Sequence, residues 1–328
     1  MKVSILGAGS WGTALAIHLA RAGHDVTLWG RDVAVMDRIR SDRSHPTRLA
    51  GIAIPDAVRI STDLAETFGG SEMLVLAVPC ASLRALLRSC PTANGNGLRF
   101  ISTGKGIEPE SLARMSEVIR EYHPDAPVVA LSGPTFAEGV ARGDPSAAVI
   151  AGDDAGLARQ VQSEFSTAQL RLYSSDDLVG VELCGALKNV VAIAAGIVSG
   201  LGFGHNTLAA LVTRGLTEMG RIVRRWGGQE RTIHGLAGIG DLMLTCTGQQ
   251  SRNRRLGEEV GRGRKLADVL MNTPEVAEGA RTCVAVPTMA ARVRVEAPIA
   301  EAVVQVLYEN VEPRTAVERL MTRALREE

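Results

Sequence analysis

The chain has 328 residues, 45% of them hydrophobic, which supports a full core and two domains and excludes a disordered or fibrous protein. Lysine plus arginine equals aspartate plus glutamate at 36 each, so no overall field draws the chain to nucleic acid or to an anionic membrane. The five cysteines (Cys80, Cys90, Cys184, Cys246, Cys283) form no CxxC pair and the six histidines no HxxxH or HExxH, which argues against a disulfide framework or a metal and fits a reducing cytoplasm.

An apolar run at residues 2–6 predicts a strand, Gly7-Ala8-Gly9-Ser10-Trp11-Gly12 a glycine-rich turn, and residues 13–22 a helix. Gly7 permits the tight turn, Gly9 lets backbone amides approach a pyrophosphate, and Gly12 lets the helix pack close to the strand. Ordinary βα connections also contain such turns. The second predicted strand, at residues 25–29, adds weight because it ends about twenty residues beyond the glycines, where dinucleotide units hold the adenosine ribose.

Lys2 and the apolar residues after it imitate a secretion signal, but the glycines and His18 favour strand, turn and helix. At the end of the second strand, Gly30-Arg31-Asp32 places a cation beside the acid. Arg31 suits a 2′-phosphate, which points to NADPH with NADH as the second option; the plainer alternative is a solvated arginine, with Asp32 capping the next helix.

Further strands are predicted at residues 72–78, 98–102 and 127–131, alternating with helical segments, which indicates a doubly wound, mostly parallel sheet. Strands at 147–151 and 169–173, flanking a helix from about residue 154 to 165, are expected to extend its far edge. Ligands of such sheets sit beyond the carboxyl ends of the strands. The loops there are Val78-Pro79-Cys80, Thr103-Gly104-Lys105-Gly106 and Ser132-Gly133-Pro134-Thr135-Phe136-Ala137, a set suited to something small, polar and anionic.

From Asp176 onward helical spacing takes over, so an α/β Rossmann-type domain at 1–176 is expected to precede an all-α domain at 177–328, with Ser-Ser-Asp-Asp as a helix cap. Residues 183–204 are apolar enough to suggest a membrane span; Lys188, Asn189 and several glycines favour a buried helix. Residues 323–328 read as a frayed helix end.

Lys105, between two glycines, is either a cleft ammonium or a surface lysine in a turn. Lys188 is the sole charge between Glu182 and His205. Burial would lower its pKa and ready it to protonate a developing alkoxide, against the plainer reading of a lysine that snorkels to the surface. Asn189 beside it could orient the same oxygen or merely satisfy backbone. Asp241, after Gly238-Ile239-Gly240, could hold Lys188 or cap a helix.

Ser251-Arg252-Asn253-Arg254-Arg255 opens a helix, so amides and guanidinium groups converge there as a phosphate monoester requires. No aromatic residues interleave with these arginines, which disfavours nucleic acid. Cys246 has no general base beside it and reads as packing.

Assembled, these motifs resemble the bacterial-type NAD(P)-dependent glycerol-3-phosphate dehydrogenases over essentially the whole chain, from the stretch 7–16 through Lys105-Gly106, Ser132–Ala137, Leu187-Lys188-Asn189 and 238–242 to 251–255. The resemblance implies interconversion of dihydroxyacetone phosphate and sn-glycerol 3-phosphate for glycerophospholipid synthesis by a cytoplasmic homodimer. It makes Lys188 the catalytic proton acceptor, assisted by Lys105 and Asp241. Gly133, Thr135, Ser251, Arg252 and Asn253 join Lys105, Lys188 and Asp241 as substrate positions.

The implied cofactor contacts for NADP(H) or NAD(H) are Ser10, Trp11, Arg31, Ala137, Val276 and Glu278, beside Gly7, Gly9 and Gly12, with Lys105 and Arg252 shared. Cys80 and Cys184 depart from the serine and glycine common in the family; Cys184 could tighten packing near Lys188 or leave an oxidisable thiol. The competing readings are a 2-hydroxyacid or ketopantoate-type reductase, whose substrates carry a carboxylate, and a non-catalytic NADPH sensor.

Overall fold

The computed structural model describes residues 1–90, 97–271 and 277–324. It divides into two compact units, Met1–Gly104 with Arg114–Glu182, and Lys105–Ala113 with Leu183–Glu328.

The first unit is an eight-stranded sheet of β1 (Lys2–Leu6), β2 (Asp25–Trp29), β3 (Arg59–Ser61), β4 (Met73–Leu76), β5 (Arg99–Ser102), β6 (Val128–Ser132), β7 (Ser146–Gly152) and β8 (Leu170–Ser175). Its helices are α1 (Ser10–Arg21), α2 (Val33–Asp42), α3 (Leu64–Gly69), α4 (Cys80–Ser89), α5 (Met115–Tyr122), α6 (Ala137–Arg142) and α7 (Ala155–Phe165). Strand order is β3-β2-β1-β4-β5-β6-β7-β8. Every neighbouring pair is parallel except β6 and β7.

The chain winds outward from β1 to β3, then returns to the other side of β1 with β4. The carboxyl ends of β1 and β4 therefore flank the switch point where such sheets bind ligands. The two central strands are buried almost throughout, β4 as a continuous apolar run and β1 apolar apart from Lys2 at its start and the buried Ser4, as suits a sheet with helices on both faces. His18, the polar residue within α1, is accommodated because its Nε2 meets the Phe165 carbonyl at 2.8 Å. Glu182, near the end of this unit, is buried and accepts hydrogen bonds from Arg114 Nη1 (2.7 Å), Ser116 N (2.8 Å) and Ser116 Oγ (2.6 Å), closing the start of α5.

The named elements of the second unit are all helices, and its segment Lys105–Ala113 is a loop. The unit contains most of α8 (Leu178–Gly200), then α9 (His205–Arg225), α10 (Glu230–Ile233), a π-helical turn at Leu236–Gly240, and α11 (Asp241–Thr247). After these come α12 (Arg252–Gly261), α13 (Leu266–Met271), α14 (Glu278–Arg292), α15 (Pro298–Tyr308) and α16 (Pro313–Met321). The expected cap is Asp177, whose carboxylate accepts from Gly180 N at 2.8 Å. The long apolar stretch is α8, the one helix among the described residues long and apolar enough to cross a membrane, and its apolar window is wholly buried. A helix apolar all round suits such a central position.

Gly196 and Gly200 of α8 face Gly257 and Gly261 of α12, and a Cβ on Gly196 would fall 2.0 Å from the Arg254 carbonyl oxygen. The glycines thus let two backbones touch. At α15 no local side chain caps the first turn; Glu218 of α9 accepts from Ile299 N (2.8 Å) and Ala300 N (3.0 Å) instead. Of the tail read as a frayed end, residues 325–328 lie outside the described residues.

Candidate active site

Within the second unit, α8 and α11 bring Lys188 and Asp241 together. Lys188 Nζ donates to Asp241 Oδ1 at 2.8 Å and to Thr245 Oγ1 at 2.7 Å, and Lys105 Nζ donates to the other carboxylate oxygen, Oδ2, at 2.6 Å. One buried carboxylate therefore sits between two ammonium groups, and the trio keeps a net positive charge.

Asp241 is the first residue of α11 behind Gly240 and caps no helix through its side chain, so of the two readings for this residue the geometry supports the lysine partner. The π-helical turn before it, with Gly240 N bonded to Gly235 O at 3.2 Å, is a feature often found where a functional side chain must be re-aimed.

Burial brings the Lys188 pKa down from 10.5 to about 8; Lys105 pushes it the same way, while the Asp241 charge and hydrogen bond oppose the shift. For Asp241 burial acts upward, but the two ammonium groups and their hydrogen bonds outweigh it and leave the carboxyl below its usual range. Cys246, also buried beside this pair, has its thiol pushed up to about 12 by burial, so it stays protonated and serves packing. Cys184 is fully buried on α8.

A chain of amides links the middle of α8 to the Lys105 loop and to the starts of α12 and α14. Asn189 Nδ2 donates to the Lys105 carbonyl at 2.9 Å, Asn253 Nδ2 donates to Asn189 Oδ1 at 2.9 Å, and Gly279 N donates to Asn253 Oδ1 at 2.9 Å. Ser251 is buried at the start of α12 and accepts from Arg254 N at 3.2 Å, leaving Arg252 exposed on the first turn. Arg254 lies 3.6 Å from Glu258. Glu278 opens α14. Val276 lies outside the described residues.

Thr245 was not singled out from the sequence. Its signal is its place one helical turn after Asp241, where its hydroxyl donates to the Asp241 carbonyl at 2.6 Å and so turns its lone pairs to Lys188.

In the first unit, Gly7 has φ +123°, and a Cβ there would meet the Ala77 carbonyl oxygen at 2.6 Å; one on Gly12 would fall 1.9 Å from the Gly7 oxygen. The turn thus needs both glycines. A Cβ on Gly9, by contrast, would meet nothing within 4 Å, and no side chain caps the start of α1, which Ser10 and Trp11 open. An open cradle at an uncapped helix start fits a dinucleotide pyrophosphate.

Arg31 is exposed at the end of β2, and Asp32 caps α2 by accepting from Val35 N at 3.1 Å, as the plainer reading of that acid has it. After β6, Thr135 N bonds to Gly133 O at 2.8 Å in a tight turn, and Ala137 opens α6. Half-buried Cys80 opens α4, with its sulfur beside Gly104. Among the described residues, no group of three or more His, Cys, Asp or Glu is placed to hold a metal.

Residues 2–158 match the family model described as NAD-dependent glycerol-3-phosphate dehydrogenase N-terminus, and residues 177–318 the corresponding C-terminus. A glycerol-3-phosphate dehydrogenase [NAD(P)+] of Syntrophotalea carbinolica is 46% identical over 331 residues, covering 100% of this chain and 99% of that protein. One from Salinibacter ruber is 45% identical, covering 100% and 97%. The crystal structure of glycerol-3-phosphate dehydrogenase from Coxiella burnetii is similar with a TM-score of 0.91 at 35% identity, covering 98% of this chain and 99% of that one.

Proposed function

The chain belongs to the NAD-dependent glycerol-3-phosphate dehydrogenase family, and from that premise we propose how its residues divide the work. The protein is an oxidoreductase that interconverts dihydroxyacetone phosphate and sn-glycerol 3-phosphate with NADP(H) or NAD(H), a reaction that supplies glycerophospholipid synthesis.

When bound, the dinucleotide supplies the hydride that reaches the ketone carbon. Lys188 gives a proton to the carbonyl oxygen as negative charge develops there, and in the reverse direction its neutral amine takes the hydroxyl proton. Asp241 and Thr245 hold the Lys188 Nζ, and Lys105 balances the Asp241 charge, so the cluster is neutral and not anionic after that proton has left. The observation that carries this assignment is the single buried carboxylate shared by two lysines, one of them with its pKa brought down to about 8.

Arg252, Ser251 and Asn253 at the start of α12 bind the substrate phosphate and hydroxyls, which the helix start and the exposure of Arg252 support; Gly133 and Thr135 are substrate positions on the family resemblance alone. On the family resemblance, Gly7, Gly9, Ser10, Trp11, Gly12, Arg31, Lys105, Ala137, Arg252, Val276 and Glu278 hold the dinucleotide. The division into a dinucleotide domain at 1–176 and a catalytic domain at 177–328 belongs to the same proposal, as do a cytoplasmic location and a homodimer, both resting on the family resemblance.

The test follows reduced-nicotinamide absorbance with dihydroxyacetone phosphate, using NADPH and NADH in parallel and dihydroxyacetone as the control without phosphate. Oxidation with the phosphate ester and not with the control is expected. Equal rates for both ketones would remove the phosphate clamp, and preference for a carboxylate-bearing ketone would replace the substrate.

A further inference from the structure

His45 lies in the loop between α2 and β3, 7% exposed, with Nε2 3.0 Å from the carbonyl oxygen of Ala8 at the middle of the glycine turn. Its other ring nitrogen, Nδ1, accepts the Thr47 backbone N–H at 3.2 Å. An accepting Nδ1 places the proton of the neutral ring on Nε2, so Nε2 donates to Ala8. Burial, aided by the nearby Arg48 charge and opposed by the bond to Ala8, keeps the His45 pKa below its ordinary value and favours the neutral ring that both bonds require.

The consequence reaches the next residue. No peptide bond among the described residues is cis, and in a planar trans peptide the C=O and the following N–H point in opposite directions. Holding the Ala8 oxygen toward the imidazole therefore turns the Gly9 N–H away from it. Gly9 precedes the uncapped start of α1, with open space where its Cβ would be. Peptides at such turns flip readily, because glycine accepts either orientation at small cost.

We propose that His45 is a positioning residue for the dinucleotide: by gripping the Ala8 carbonyl it fixes the Ala8–Gly9 peptide plane and presents the Gly9 amide to the pyrophosphate. This deepens the cofactor assignment and rests on it. An amide already aimed binds an anion without first giving up the freedom of the turn.

The experiment is NADPH titration of the ligand-free full-length protein, followed by nicotinamide fluorescence, in the original chain and in His45→Ala and His45→Gln. His45→Ala is expected to raise the NADPH Kd about tenfold, with the KM for dihydroxyacetone phosphate at saturating NADPH unchanged. His45→Gln, whose amide N–H can reach the same carbonyl, is expected to recover most of that loss. A purely structural histidine would lower thermal stability and leave Kd alone.

An alanine variant that binds within twofold of the original chain would overturn the proposal, and so would a glutamine variant as weak as alanine. Should His45→Ala not fold, His45→Leu, which keeps bulk without a donor, takes its place against His45→Gln. Failure of the original chain to bind NADPH would instead remove the cofactor assignment itself.

Discussion

A lysine that is only 5% exposed keeps its proton only while its neighbours compensate for the lost water, and at Lys188 they do so incompletely, so its pKa stands at about 8 instead of 10.5. The direction of the pH dependence follows. Ketone reduction needs the ammonium, so its kcat is expected to fall as pH rises through about 8, whereas glycerol 3-phosphate oxidation needs the amine and is expected to rise over the same interval. Stopped-flow rates in both directions across pH 6–10 check this, and two curves of the same sign would exclude Lys188 as the titrating group. Lys188→Ala should reduce turnover by roughly 10²–10⁴ with the NADPH Kd unchanged within about twofold. Thr245→Val removes the hydroxyl that accepts from the ammonium, and is expected to move the reduction limb toward acid pH. Arg31 is exposed beside the acid that caps α2. Arg31→Ala should cut the NADPH-to-NADH ratio of kcat/KM by roughly 10–100-fold, the worth of a hydrogen bond to a charged group; an unchanged ratio returns Arg31 to solvent.

The glycines of α8 and α12 act at the level of whole elements. Those of α8 were read from the sequence as grounds for a buried helix, and the structure shows the use of both sets: they bring the helix carrying Lys188 against the helix whose first turn carries Arg252 and Asn253. Gly257→Ala sets two effects in opposition. Alanine favours a helix by about 1 kcal/mol over glycine. Its Cβ would fall 2.0 Å from the Ile193 carbonyl oxygen, and a backbone atom gives way only if a helix moves. Overpacking of this kind costs about 1–3 kcal/mol, and contact with backbone puts it at the upper end. Net destabilisation near 2 kcal/mol in urea unfolding is therefore expected. A KM for dihydroxyacetone phosphate raised more than about tenfold should accompany it, because a shift of about 1 Å spoils a positioned site. A variant more stable than the original chain would show that the crossing relaxes freely.

At the scale of the molecule, cofactor binding and stability are linked, since NADPH binds the folded cradle and not the unfolded chain. At about 100 times its Kd, NADPH should add roughly 2.7 kcal/mol to the native state and raise Tm by several degrees in differential scanning calorimetry. No shift at that concentration would mean that the cradle is not the binding site. Sequence alone was sufficient wherever the signal is local. The strand, glycine turn and helix at the start of the chain lie within twenty-odd residues, the inner strands are mostly apolar, and Lys188 stands out as one charge in an apolar helix. The three-residue β3 was too short to show a period, and the reversal between β6 and β7 could not be read because an apolar run is the same in either direction. The transfer of Lys105–Ala113 to the second unit left no mark in composition. Asp241 was read as either a cap or a lysine partner, and only the fold decides between them, because its partners stand 53 and 136 residues away. Periodicity and composition determine which residues are buried and in what kind of element; which buried charges meet depends on how helices cross, and that is set by packing between segments remote in sequence.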